Sequence, residues 1–381
     1  MEASDLRIAL FSGNYNYVRD GANQALNRLV DHLNARGAAV RVYSPMVAKP
    51  ALPVNAPMVN VPSIPIPGRS EYHLPVRLPQ RVRRDVESFA PNLFHVASPD
   101  IVGHRAVTLA RRMGVPAVAS VHTRFETYPR YYGAGFLEPV LVAALRRFYR
   151  RCDSIFAPSD SMAELLRAQR MNPVVGIWSR GIDREVFSPG RRDLEWRRGL
   201  GIADDMPAIG FVGRLVMEKG LDVFTDAVAL LAERGVQHKV LVVGEGPARD
   251  WFQERLPGAC FAGFQQGADL GRAVASMDLL FNPSVTETFG NVTLEAMAAG
   301  LPVVAAIATG STSLVADGVT GRLVPPGDLQ GFADALQHYC EDEGARRAAG
   351  AAGEQASRRY GWDAVNEELV RAYLRVVAQR R

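Results

Sequence analysis

Two glutamates eight positions apart bracket a glycine in SVTETFGNVTLEAMAAG, residues 284–300: Glu287 and Glu295, with Gly290 and Asn291 between them. Paired carboxylates invite an acid/base reading for glycoside hydrolysis, which needs carboxyl groups about 5–9.5 Å apart. Eight residues of helix span about 12 Å, and Gly290–Asn291 reads as a helix start, with Glu287 on the loop before it and Glu295 more than a turn inside. This spacing argues against a hydrolase dyad. It fits a ligand laid across a helix N-terminus, where backbone N–H groups and the positive end of the dipole meet phosphates. The two carboxylates then accept hydrogen bonds from hydroxyls on either side, as sugar and ribose flank a diphosphate in a nucleotide sugar.

A diphosphate also calls for cations. The stretch FVGRLVMEKGLDVF reads as a strand, a turn at Gly213, then Arg214 and Lys219 leading into a helix. Open α/β sheets bind ligands at the C-terminal ends of their strands, and Arg and Lys offer a planar fork and a point charge to phosphate oxygens. The turn SGNYNYVRDGANQAL after the first strand is not GxGxxG, and GEGPAR at 244–249 has only the first two glycines, so a tightly held dinucleotide is disfavoured. The GxG reads first as a tight strand-to-helix turn. His122, ending the strand AVASVH, reads by itself as a structural histidine.

The elements that must position these groups come in two series. RIALFSG (7–13), AVRVYSP (39–45), LFHVASP (93–99), PAVASVHT (116–123), SIFAPS (154–159) and VVGIWS (174–179) read as buried strands separated by helical patterns. AIGFVGR, KVLVVGEG, CFAGF, LLFNPS, PVVAA and GRLVPP repeat the alternation between residues 208 and 326. Near-continuous apolar strands with helical crossovers predict parallel sheets covered on both faces. The fold class is α/β, with two Rossmann-like domains facing a central cleft: residues 1–185, residues 186–360, and a C-terminal helix over 361–381 with Val365, Leu369, Tyr373 and Leu374 on one face. The charged, Gly- and Pro-containing stretch 179–207 reads as the hinge, and the proline-rich stretch 46–75 as a surface loop.

At 381 residues, 48% hydrophobic and 22% charged, the chain suits two globular domains. No apolar run approaches the roughly 18–20 residues that cross a bilayer, and MEASDLRIALFSG lacks the basic and apolar segments of a secretory signal, which predicts a cytoplasmic protein. Three scattered cysteines suggest neither a disulfide framework nor a zinc cluster. The net charge of +4 is small and nothing points to nucleic acid. Arginines nevertheless cluster at Arg77, Arg81, Arg83 and Arg84, at Arg111 and Arg112, and at Arg146, Arg147, Arg150 and Arg151. They read either as solvated helix faces or as a surface for an anionic membrane.

GRLVMEKG, LVVGEGP, FAGF and above all ETFGNVTLEAMAAGLPVVAA resemble the retaining glycosyltransferases of family 4, which have the GT-B fold. HVASPD, SVHTRFETYPRYYG and SRGIDREVFSP extend the resemblance over nearly the whole chain. It implies an enzyme whose C-terminal helix crosses back to the first domain and whose Arg214, Lys219 and Glu287 work with His122 in catalysis. Glu287 would meet donor-sugar hydroxyls, Glu295 the ribose, and the amides of Phe289, Gly290 and Asn291 the sugar and phosphates. Gly213, Gly263 and Phe264 complete the donor set, the last two near the base, and Gly21 would allow close approach to the phosphates. Asp20 stands where many relatives have another glycine, free to touch a substrate or to cap the following helix.

GNYNYVRDG, VPSIPIPGRSEYHLP and HTRFETYPRYYG look most like bacterial enzymes that glycosylate membrane lipids, including GDP-mannose-dependent glucuronosyl-diacylglycerol mannosyltransferases, with sulfoquinovosyl-diacylglycerol synthases as more distant relatives. The resemblance implies transfer of mannose from GDP-mannose to a glycolipid by a peripheral enzyme on the cytoplasmic face of the membrane, with Asp20, Phe125, Tyr128, Arg130 and Tyr131 on the acceptor side. It implies retention by front-face attack, with no protein nucleophile, and no metal or other cofactor is required. A UDP-sugar stays open as donor, because Gln265, Gln266 and Gly267 bring no acid to a guanine edge, and so does another lipid or a soluble sugar as acceptor. A GT-B epimerase or phosphorylase would share the fold, but a buried acidic/His elimination site or a lysine for pyridoxal phosphate would mark it, and the sequence shows neither. A noncatalytic membrane-bound carbohydrate-binding protein would have no need of the Arg/Lys and Glu pairs together.

Overall fold

The computed structural model describes residues 1–17, 20–66, 69–127 and 134–380. The chain forms two compact units: one from residues 1–181 together with the C-terminal stretch that begins at Trp362, the other from Ile182 to Gly361.

The first unit is built on β1 (Arg7–Phe11), β2 (Ala39–Ser44), β3 (Met58–Asn60), β6 (Leu93–Val96), β7 (Ala117–Ser120), β8 (Ser154–Ala157) and β9 (Val175–Ile177). These strands pair in parallel in the order β3-β2-β1-β6-β7-β8-β9. The order reverses between β1 and β6, where Ile8 pairs with both Val40 and Leu93. Strand residues such as Leu93–Val96 and Ala117–Ser120 are buried throughout, as two-sided coverage demands.

The proline-rich stretch is more ordered than its composition predicts. Residues 46–75 are not a plain surface loop: β3 extends the main sheet, and β4 (Ser63–Ile66) pairs antiparallel with β5 (Arg69–Pro75). A two-stranded sheet has only edges, so Pro65 removes no central ladder bond, and the register shifts beside it at Pro65/Ile66.

The C-terminal helix Trp362–Ala378 packs on the first unit. Val365, Leu369, Tyr373 and Val377 recur every fourth residue and share a core with Ile8, Leu10, Leu29, Leu33 and Trp178. Truncating Leu369 to Ala in this fully buried row costs about 2–5 kcal/mol.

The second unit has β10 (Ala208–Val212), β11 (Lys239–Val243), β12 (Cys260–Phe261), β13 (Leu279–Asn282), β14 (Val303–Ala306) and β15 (Gly321–Val324), all parallel, in the order β12-β11-β10-β13-β14-β15. Its reversal lies between β10 and β13. The stretch expected as a hinge is largely folded into this unit. Arg197, wholly buried, pairs with Asp278 at 2.6 Å and donates to the Ser276 carbonyl at 3.0 Å, while Arg192 reaches the other Asp278 oxygen at 2.8 Å. Its charge reads as linker in the sequence but is satisfied internally, and breaking such a buried pair costs about 3–5 kcal/mol.

Candidate active site

In the second unit the loops that follow the strands carry the residues singled out from sequence. Gly213 follows β10 with a φ of +148° that suits glycine, and the chain continues through an exposed Arg214 to Lys219. Gly220, at φ +74°, caps the helix Leu221–Glu233, and a Cβ there would stand 3.1 Å from the Pro283 carbonyl. That close approach draws the loop after β13 against the start of this helix. Lys219 Nζ thereby meets Glu287 Oε1 at 2.5 Å, both side chains remaining part-exposed.

Beyond Glu287, Gly290 adopts φ +95° and the helix Asn291–Ala298 begins, between the two glutamates as their spacing predicts. A glycine cap brings no side-chain acceptor of its own to the first-turn amides. The loop is held from outside: the Glu287 carbonyl accepts from Gly310 N at 2.9 Å and from Thr309 Oγ1 at 2.7 Å. A Cβ at Gly310 would approach Phe289 backbone atoms to 2.7 Å, so this glycine, which sequence reasoning missed, is what lets the two loops meet. The Phe289 side chain is buried edge-on against Tyr360, leaving its backbone as the part that faces the loop. Inside the helix, burial and the nearby Glu287 charge push Glu295 up to about 7.

The glycines of GEGP have a packing reason. A Cβ on Gly244 would stand 1.8 Å from the Gly213 carbonyl oxygen and one on Gly246 would stand 2.3 Å from that of Leu215, where the two loops exchange backbone hydrogen bonds. Gly263 has φ +69°, and Phe264 beside it is 63% exposed. Gln265 turns back to the Ala262 carbonyl. An acid lies beside that short loop: Glu245 Oε1 is 3.3 Å from the place of a Gly263 Cβ and forms an ion pair with Arg249.

The first unit gathers a different set. Asp20 caps the helix Gly21–Ala35, accepting from Asn23 N at 2.8 Å, and Gly21 is the first residue behind that cap. Burial raises the Asp20 carboxyl above the usual range. Asp100 likewise caps Ile101–Met113 through Gly103 N at 2.7 Å, and a Cβ on Gly13 would stand 2.6 Å from Asp100 Oδ2. His122, after β7, bonds Ser120 Oγ through Nε2 at 2.8 Å and the Arg180 guanidinium through Nδ1 at 2.9 Å. Burial and the Arg180 charge hold its imidazole well below the usual histidine range. Phe125 is exposed on the following turn, where buried Glu126 pairs with Arg124. Tyr128, Arg130 and Tyr131 lie outside the described residues. Among the described residues no group of three or more His, Cys, Asp or Glu lies together in a way that could hold a metal ion.

Two family models match the chain, "Glycosyltransferase Family 4" over residues 19–186 and "Glycosyl transferases group 1" over residues 206–342. A GDP-mannose-dependent alpha-mannosyltransferase of Mycolicibacterium smegmatis is 34% identical, the match covering 98% of this chain and 99% of that protein. A sulfoquinovosyl transferase of Arabidopsis thaliana is 30% identical over 95% of this chain and 72% of its own length. Among solved structures, a sucrose-phosphate synthase from Thermosynechococcus elongatus superposes with a TM-score of 0.79 at 20% identity, covering 98% of this chain and 99% of that one. With its two parallel sheets and this full-length likeness, the chain belongs to the family 4, group 1 glycosyltransferases of GT-B fold and is a glycosyltransferase.

Proposed function

We propose that the enzyme transfers mannose from GDP-mannose to a membrane glycolipid such as a glucuronosyl diacylglycerol, with retention of anomeric configuration. The observation that carries this reading is the end of the second sheet at its reversal point, where two glycine-capped helices begin beside Arg214, Lys219 and Glu287. Cleaving the bond between the anomeric carbon and phosphate builds negative charge on the departing diphosphate. Lys219, Arg214 and the amides of Phe289, Gly290 and Asn291 are placed to stabilise that charge. In this assignment Glu287 orients Lys219 and accepts from a donor-sugar hydroxyl, and Glu295 accepts from the ribose. Gly213 keeps the phosphate loop open, while Gly263 and Phe264 flank the base. A donor phosphate oxygen takes the acceptor proton, so no protein nucleophile is needed, and these cations serve the diphosphate without a metal.

GDP-mannose is favoured by the mannosyltransferase likeness and by Glu245, a carboxylate close enough to Gly263 to accept from the N–H groups of a guanine edge. The first unit receives the acceptor, through Phe125, Tyr128, Arg130 and Tyr131. No helix among the described residues is long and apolar enough to cross a membrane. Peripheral contact is supported by Phe136 (77% exposed) and Val140 (64% exposed), at the start of the helix Glu138–Tyr149 whose far end carries exposed Arg147 and Arg150. Apolar insertion plus attraction to anionic lipid is the balance such binding requires.

The test is transfer of labelled sugar from a panel of GDP- and UDP-hexoses into a bacterial lipid extract, with EDTA present in a parallel series. A lipid-soluble product from GDP-mannose, with α-linkage by NMR and unaffected by EDTA, is the expected result. Transfer from a UDP-sugar alone would overturn the donor assignment, and label confined to water-soluble products would overturn the lipid acceptor.

A further inference from the structure

A buried polar chain runs beneath His122, and its donor count fixes where the protons are. Arg180, 5% exposed, follows β9 and donates through Nη1 to the carbonyls of Trp178 and Ser179 at 3.1 and 3.2 Å. Its Nη2 lies 2.9 Å from His122 Nδ1. A guanidinium has donors and no acceptor, and burial lowers this one only to about 10, so it is charged at neutral pH. The contact can therefore only be N–H donating to a lone pair on Nδ1. The single ring proton of a neutral imidazole must then be on Nε2, which donates to Ser120 Oγ at 2.8 Å. Ser120 Oγ is in turn 2.8 Å from Nε2 of His95 on β6, and His95 Nδ1 is 2.7 Å from the Tyr373 hydroxyl of the C-terminal helix.

We infer that Arg180 is a positioning residue that locks His122 as the neutral Nε2–H tautomer, so that neither ring nitrogen serves as a base toward an acceptor hydroxyl. The charged and titratable groups around the ring agree with a neutral state. Arg180 faces Nδ1, His95 lies beyond Ser120 and is itself pushed down to about 3 by burial, and the Trp178 ring stands edge-on at 5.6 Å. Asp20 acts on this cluster through the charge of Arg180. The C-terminal helix thus has a chemical role in addition to packing: Tyr373 closes the chain that holds Ser120 and His122 in place. The consequence for catalysis rests on the proposed transfer reaction; the tautomer itself does not.

The decisive measurement is a long-range 1H–15N spectrum of the histidine-labelled wild-type enzyme, with the His122 signals identified by their loss in His122→Gln. The expected pattern is an unprotonated Nδ1 and a protonated Nε2, unchanged from pH 6 to 8. A proton on Nδ1, or an imidazolium appearing within that range, would overturn the inference even if sugar transfer proceeds as proposed. Arg180→Lys keeps a donor-only cation and is expected to keep the tautomer. Arg180→Met should release Nδ1, produce a tautomer mixture and lower kcat on the order of 10²-fold, the scale of a misplaced active-site group, with a smaller change in donor KM. An Arg180→Met enzyme that folds and retains the wild-type His122 pattern would contradict the assignment. If His122→Gln keeps full transferase activity while the wild-type pattern is as stated, the tautomer stands and the catalytic place of His122 falls.

Discussion

The two units use the same architecture and finish it in opposite ways. In each, a parallel sheet reverses its strand order and a helix starts after each of the two strands at the reversal. In the first unit those helices, Gly21–Ala35 and Ile101–Met113, are capped by Asp20 and Asp100, whose carboxylates take first-turn amides. In the second, Leu221–Glu233 and Asn291–Ala298 are capped by Gly220 and Gly290 in left-handed conformations, with no carboxylate cap. A helix start already answered by an aspartate repels a phosphate, and one left to glycine attracts it. Under the proposed function the same sheet geometry offers an anion site in the second unit, whereas in the first the helix starts are already occupied by the carboxylates of Asp20 and Asp100. The difference lies in the cap residues.

Breaking the second site should have the largest effect. Lys219→Ala and Glu287→Ala are each expected to lower kcat/KM by about 10²–10³, the scale of losing one transition-state contact, with circular dichroism unchanged because both side chains are part-exposed. Wild-type turnover in a folded Lys219→Ala enzyme would remove the electrostatic argument. Glu295 gives a pH test. Its carboxyl is raised to about 7, and the proposed ribose contact uses the carboxylate form. Donor binding should therefore be level above pH 7 and weaken below it, approaching tenfold per unit, in an isothermal titration series. Glu295→Gln should flatten that slope. A smaller change is expected from Glu245→Gln, which should cut preference for GDP over UDP by about tenfold, the loss of one charged hydrogen bond of roughly 1.5 kcal/mol. In the first unit, Phe136→Ser should lower affinity for anionic liposomes severalfold, about 1 kcal/mol and so only part of the roughly 1.5–3 kcal/mol that fully burying a Phe contributes, and leave turnover of a detergent-dispersed acceptor unchanged. Raising salt should weaken the same binding.

The sequence makes the second site readable because its chemistry is local. Glu287, Gly290 and Glu295 lie within nine consecutive residues, and Gly213 to Gly220 within eight, so spacing alone indicates a loop and a helix start. The first site is dispersed. His95, Ser120, His122, Arg180 and Tyr373 come from two strands, two loops and the last helix, and only the order β1-β6-β7-β8-β9 with the helix packed behind it brings them together. No periodicity reveals that Arg180 points at His122. Gly310 and Glu245 escaped notice for the same reason, since each matters through a loop distant in sequence. Conversely, the charge of residues 179–207 resembles a linker because a sequence does not show that Arg197 finds Asp278 eighty-one positions later. The β4–β5 hairpin is hidden by its prolines, which only an edge pairing tolerates.

The most direct test of the contrast between the units is to exchange one cap. GDP affinity would be measured calorimetrically for the wild type, Gly290→Asp and Gly290→Asn, the last two sharing a tolerance for left-handed backbone but differing in charge. The account predicts a loss on the order of 10²-fold for Gly290→Asp and only a few-fold for Gly290→Asn, since only the aspartate sets a charge against the diphosphate. Equal affinities for the two variants would contradict the claim that the glycine-capped helix start holds the diphosphate.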